Sequence, residues 1–230
     1  MRHSSGTVEA SALLEELERR FITATERVSL GGGDVEVTRP RNAEDLINEA
    51  DFERDERLPY WAELWPSSVV LAGEVEQEDG AHRALLELGC GVGLVTIAAV
   101  RAGFDVTATD YYEDALLFTR ANAWRALGQE VRTRHVDWRA LPGDLGRYSR
   151  VLGSDVLYER PYGALVAGVL EATLAVDGVA TLADPGRVGA EVFVEECAAR
   201  GLSVRVEPRP YRSGSVRQTI RLYQVVRRAS

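Results

Sequence analysis

The chain contains no lysine: all 27 of its basic residues are arginine. A Walker-type Gly-Lys-Ser/Thr phosphate loop is therefore excluded. Cysteine is almost as scarce. Cys90 and Cys197 are the only two and form no CxxC pair, which argues against a zinc site or a disulfide framework. The three histidines are scattered, no His/Asp/Glu cluster has ligand spacing, and no metal is expected. His135 falls in an expected strand and reads as structural. Long apolar runs are missing too, so no segment can span a bilayer as a helix. Residues 1–10 lack the apolar stretch of a signal peptide, and the expected location is the cytoplasm. Positive charge is in deficit, with a formal net charge of −9, which excludes a broad basic surface for nucleic acid. Arg217, Arg221, Arg227 and Arg228 alternate with apolar residues and read as solvent-facing arginines on an outer strand.

What remains is ordinary globular material. Hydrophobic residues make up 45% and charged residues 27% of 230, enough for one domain with a sizeable core. Val8, Leu13, Leu14, Leu17, Phe21 and Ile22 recur at helical spacing and predict a helix over 8–27. Residues 28–38 alternate around Gly31-Gly32-Gly33 and predict a hairpin. Asn42 is placed to cap a brief helix through Ala50, and Ser67 to Val75 reads as helical.

From residue 83 the pattern switches to strand–helix alternation. Strands are expected at 84–88, 105–109, 131–136, 150–154 and 178–183, and helices at 94–102, 114–127, 161–175 and 188–200. That rhythm predicts an α/β doubly wound sheet with right-handed crossovers and helices on both faces. Two last strands, near 203–208 and 216–226, have only Pro208–Ser215 between them. They should form a hairpin, so one strand runs antiparallel to the rest. Residues 1–80 are expected to pack as an extension on a core of 81–230.

The chemistry-bearing residues follow the strands. Glu87-Leu88-Gly89-Cys90-Gly91-Val92-Gly93 leaves a strand and opens a helix, where glycines let backbone turn sharply and approach a ligand. Asp110, followed by Tyr111, ends the next strand, where a carboxylate can accept hydrogen bonds from ribose hydroxyls. Together they point to an adenosine-type ligand. A dinucleotide fingerprint requires a third glycine at the position Leu94 occupies, and Gly93 comes one place early. Glu87 also suits a cationic amino-acid end better than a pyrophosphate, and S-adenosylmethionine (SAM) carries an ammonium and a sulfonium. Asp137-Trp138 ends the third strand, where an indole can pack on an adenine face and a carboxylate or backbone group can bond its amine. Ser154-Asp155-Val156-Leu157-Tyr158 ends the fourth, facing the reactive end of the ligand. There Asp155 would hold an amine, and Tyr158 would supply an aromatic wall or a hydroxyl.

These residues, with Pro59-Tyr60-Trp61-Ala62 and Trp65-Pro66, resemble the seven-β-strand class I SAM-dependent methyltransferases. They are most similar to the family-16 branch, which holds many protein lysine methyltransferases. Asp184-Pro185-Gly186-Arg187 resembles a segment of the electron-transfer-flavoprotein β-subunit lysine methyltransferases and their bacterial relatives. The likeness runs from about residue 39 to 205. It implies strand order 3-2-1-4-5-7-6 with strand 7 antiparallel, and SAM as cofactor. It also implies cofactor contacts at Trp65, Gly89, Cys90, Gly91, Asp110, Trp138 and Ser154, and an acceptor site at Asp155 and Tyr158. An apolar pocket is needed to lower the pKa of an acceptor amine, and Trp61 is expected to wall it with Tyr158 and Asp155. The leading acceptor is a protein lysine. A small amine or hydroxyl compound, an NAD-dependent oxidoreductase and a non-catalytic SAM-binding protein remain alternatives. Oligomeric state is open.

Overall fold

A computed structural model describes residues 4–46 and 59–228. It begins with helix α1 (Ser4–Arg20) and an antiparallel hairpin of β1 (Thr23–Leu30) and β2 (Gly33–Pro40). The helix expected over 8–27 thus stops at Arg20. The run Ile22-Thr23-Ala24-Thr25 is rich in β-branched residues, which are stiff at χ1 and favour an extended chain, and pairing with β2 takes over. Ile22, expected on the buried helical face, is 61% exposed. The hairpin is longer than 28–38; Gly31 and Gly32 make its turn, and Gly33 opens β2 with φ +110°. A 3-10 turn spans Ala43–Leu46; the rest of the helix expected to reach Ala50 lies outside the described residues.

The remainder alternates: α2 (Pro66–Val75), β3 (Ala84–Leu88), α3 (Leu94–Arg101), β4 (Asp105–Asp110), α4 (Glu113–Leu127), β5 (Arg132–His135), β6 (Tyr148–Ser154), α5 (Arg160–Thr173), β7 (Leu174–Asp184), α6 (Gly189–Ala199), β8 (Leu202–Ser213) and β9 (Val216–Arg227). The sheet order is β5-β4-β3-β6-β7-β9-β8. Strands β5 to β7 pair in parallel, while β9 is antiparallel to both β7 and β8. Numbered from β3, this is the order the resemblance implied. The edge strand is β8, so the arginine-bearing strand 216–227 is interior rather than outermost, and Arg227 folds back to donate to the Leu174 carbonyl at 3.1 and 3.0 Å.

The expected helix 161–175 yields to strand two residues early. Strand β7 opens at Leu174 and bulges before settling into register, since Tyr148 pairs with Leu174 but Arg150 pairs with Val179. Gly178 sits in that bulge, where a Cβ would come 2.9 Å from the Tyr148 carbonyl oxygen.

Helices cover both faces, as two buried clusters show. One cluster joins α2, α3 and α4 to the sheet and continues without a break into Leu13, Leu17, Val28, Val35 and Val37 of the N-terminal elements. The other packs α5 and α6 on the opposite face around Phe193 and Leu170. No helix among the described residues is long and apolar enough to cross a membrane.

One buried side chain ties the hairpin to the sheet. Asn122 on α4 accepts the Thr38 N–H at 2.8 Å and donates to the Thr38 carbonyl at 2.7 Å and to the Val92 carbonyl at 2.8 Å. Replacing it with leucine would strand three buried backbone groups, and each such group costs about 1–3 kcal/mol. Asn122→Leu is expected to lower the stability by about 3 kcal/mol or more in urea unfolding.

Candidate active site

The carboxyl ends of β3, β4, β5 and β6 open onto a cavity of about 960 Å³, its mouth included. Its floor is the turn between β3 and α3. Gly89, Gly91 and Gly93 all have left-handed backbone, with φ +66°, +53° and +87°. A Cβ on Gly93 would approach the Thr119 Cα on α4 to 2.9 Å, and one on Gly91 would approach the Trp61 carbonyl oxygen to 3.1 Å. Close packing as well as turn geometry therefore demands glycine here.

Asp110, buried at the end of β4, locks this turn. One carboxylate oxygen accepts the Gly91 N–H and the other the Tyr112 N–H, each at 3.0 Å. Burial pushes its carboxyl above the ordinary range, and the N–H groups of Tyr112, Gly91 and Tyr111 pull it back. Cys90 lines the cavity too, but burial holds its thiol well above the ordinary range, which makes it a poor nucleophile.

Two aromatic arcs form the walls. Trp65, Tyr60, Tyr158, Tyr162 and Trp138 follow one another with ring centroids 4.2–6.3 Å apart. On the other side Trp61 meets Tyr112, which meets Tyr111. The Asp137 carboxylate is taken up by Arg139, whose Nε and Nη2 donate to it at 2.7–3.1 Å. Arg139 also lies over the Tyr111 ring.

Asp155, at the mouth of β6, sits in left-handed backbone at φ +53°. An aspartate tolerates this conformation better than most residues, and such outliers concentrate at functional sites. Its N–H is fixed to the Ala183 carbonyl at 2.9 Å. Burial pushes its carboxyl above the ordinary range, while Ser67 and Arg187 act to lower it. Arg187 donates to Asp155 Oδ1 at 2.9 Å.

A family model described as lysine methyltransferase matches residues 51–191, more than half of the chain. The chain belongs to this family. EEF1A lysine methyltransferase 3 of Mus musculus is 32% identical over 147 residues, covering 60% of this chain and 62% of the relative. Protein N-lysine methyltransferase METTL21A of Danio rerio is 36% identical over 120 residues, covering 48% and 54%. The chain thus spans about half to three-fifths of the length of these curated relatives. Among solved structures, the magnesium protoporphyrin IX methyltransferase of Synechocystis, with bound SAM, superposes with a TM-score of 0.57 at 19% identity, covering 79% of this chain and 94% of that one. A ribosomal protein L11 methylase from Lactobacillus delbrueckii gives 0.55 at 16%, covering 71% and 79%. At these identities the shared property is the fold.

Within this lysine methyltransferase family member, one cavity gathers eleven of the residues singled out in the sequence: Trp65, Gly89, Cys90, Gly91, Asp110, Tyr111, Asp137, Trp138, Ser154, Asp155 and Tyr158. Glu87 is not among its lining residues. It lies in β3, 1% exposed, with the Thr96 hydroxyl donating to its carboxyl, and burial pushes it up to about 8. Near neutral pH it is mostly uncharged, unlike the cationic-end partner the sequence suggested. Tyr162, Arg139 and Glu63 line the cavity without having been singled out. Tyr162 follows Tyr158 by four positions, and Arg139 is the neighbour of Trp138; that proximity was the available signal.

The Glu87 shift carries a pH consequence. Its folded carboxyl holds a proton up to about pH 8, while an unfolded one loses it near 4.3. The folded state therefore binds more protons between those values, and stability falls as pH rises through the window. Glu87→Gln is expected to flatten that fall. The gap should open to a few kcal/mol between about pH 5 and about pH 9, read by urea unfolding.

Proposed function

We propose that the chain is a SAM-dependent methyltransferase whose acceptor is a lysine side chain of a protein. The observation that carries this reading is one cavity in which the glycine turn and Asp110 face the Asp155–Tyr158 segment across an aromatic wall. Relatives named as protein lysine methyltransferases support it. Residues 1–80 serve as an extension on the 81–230 core and contribute Tyr60, Trp61 and Trp65 to the wall.

The lining suits SAM. Its charged groups include the carboxylates Asp110, Asp137, Asp155 and Glu63, which favour a cation and disfavour a pyrophosphate. Gly89 and Gly91 offer backbone without a Cβ, Asp110 and Tyr111 the ribose side, and Asp137 and Trp138 the adenine side. Trp65, Cys90 and Ser154 complete the cradle, while Glu87, within β3, holds α3 through the Thr96 hydroxyl. Bound SAM would supply a methyl group on a sulfonium. The protein's task is to align the acceptor nitrogen and exclude water. Asp155 accepts an N–H of the amine, and Tyr158, Tyr60 and Trp61 enclose its alkyl chain.

Labelled methyl-SAM, incubated with the enzyme and a lysate of its own organism, is expected to leave label in the acid-precipitable fraction. Label confined to the soluble fraction would favour a small-molecule acceptor instead. The 230 residues hold no lysine, so the enzyme's own band can carry no methyllysine and any such signal belongs to a substrate.

Two variants separate the halves of the cavity. Asp110→Ala is expected to weaken SAM binding by about 1–3 kcal/mol in calorimetry; unchanged affinity would put the ribose elsewhere. Asp155→Asn should leave SAM affinity nearly unaltered and cut turnover by about 10- to 100-fold; equal turnover would remove Asp155 from the acceptor site.

A further inference from the structure

An acidic residue at a lysine-accepting site poses a physical problem. The acceptor must lose its proton to attack, yet a bare carboxylate beside an amine holds the proton on. Arg187, from the loop between β7 and α6, bears on this. Its Nη2 donates to Asp155 Oδ1 at 2.9 Å, and its guanidinium carbon lies 4.9 Å over the Trp65 ring. Arg187 is not among the lining residues of the cavity, whereas both its partners are. It braces the wall from behind. The Asp155 side chain is only 7% exposed, and its Oδ2 is buried, with Ser67 of α2 beside the carboxyl.

We propose that Arg187 is a positioning residue for the acceptor amine: held between Asp155 and Trp65, it compensates the Asp155 charge, so that Asp155 takes an N–H of the neutral amine instead of pairing with an ammonium. This rests on the lysine reading above. The acceptor nitrogen gives up its proton to solvent water, and with SAM bound its lone pair would form the bond to the methyl carbon as the carbon–sulfur bond breaks, the pair of electrons staying on sulfur.

The groups facing Asp155 are Ser67 of α2, Arg187, and Asp184 at the end of β7, which in turn faces Arg221 of β9. Arg187 Nε stands 4.0 Å from Asp184 Oδ2, and Asp184 accepts the Gly186 and Arg187 N–H groups at 2.6 and 2.7 Å. Asp184 thus holds the loop that carries Arg187. Without Arg187, the Asp155–amine pair keeps one extra proton at neutral pH, on whichever partner, and either form is unproductive.

The test compares Arg187→Met and Arg187→Lys with the wild type, each first checked for fold by circular dichroism. One readout needs no acceptor: carbon-13 NMR titration of the aspartate carboxyls, with Asp155 assigned from Asp155→Asn. Its midpoint should rise by about one pH unit or more in Arg187→Met and stay near wild type in Arg187→Lys. The second readout is the pH profile of label transfer to the lysate protein fraction. The rising limb should move up by about one unit in Arg187→Met, a loss of about tenfold near pH 7 that closes at high pH. Arg187→Lys loses the planar fork and stack but keeps the charge, so its limb should hold its place even if its plateau drops. A rate lowered equally at every pH with the limb unmoved, or a lysine variant whose limb moves with the methionine variant, would overturn the proposal. If the wild type labels no protein, the lysine reading fails by itself. An unmoved Asp155 midpoint in Arg187→Met would still overturn the compensation.

Discussion

The hold of Asp110 on the Gly91 N–H, at 3.0 Å, is the contact on which the cavity depends. It fixes the β3–α3 turn from one side while Asn122 takes the Val92 carbonyl from the other, and the Thr119 hydroxyl donates to the Gly91 carbonyl at 3.0 Å. Three side chains from β4 and α4 thus shape a turn whose glycines have no side chains with which to do so. Asp110 gives up little by this. A carboxylate oxygen has more than one lone pair, so the same group can order the floor of the cavity and still accept from a ligand lying on it. Preorganisation of this kind lowers the entropy that ligand binding must overcome.

The same economy governs charge. The site gathers several carboxylates close together, and each has a distinct compensation. Asp110 is met by backbone N–H groups, Asp137 by Arg139, Asp155 by Arg187, and Asp184 by the turn it caps. Glu87 is compensated by protonation instead. An all-arginine basic set fits this role. Guanidinium stays charged under any condition the protein meets and binds carboxylates through a planar fork. It also adds no ε-amine to compete with an acceptor.

Much of the fold was legible because parallel strands buried on both faces must be apolar and must alternate with helices. Strand 84–88 and the glycine-closed helices 94–102 and 114–127 show that rule at work. The misreadings occurred where local pattern and tertiary pairing disagreed. Ile22 extends a helical spacing but pairs as strand, and Leu174 extends another but enters β7 through a bulge. Most of the cavity residues were legible because strand ends carry them: the glycine turn follows β3, Asp110 ends β4, Asp137-Trp138 follows β5 and Ser154-Asp155 closes β6. Glu87 was different: it sits before its glycines, within the strand, so its side chain belongs to the core. Arg187 was visible as a motif without a role, because its partners, Asp155 and Trp65, are distant in the chain.

The measurement that tests the account most directly is the chemical identity of the transferred label. Protein labelled from methyl-SAM by this enzyme would be hydrolysed to amino acids and chromatographed against standards. The account predicts label in methylated lysines, accumulating about 10- to 100-fold more slowly when Asp155→Asn replaces the wild type. Label recovered instead as methylarginine, as base-labile carboxyl methyl ester, or in no amino acid at all would contradict it.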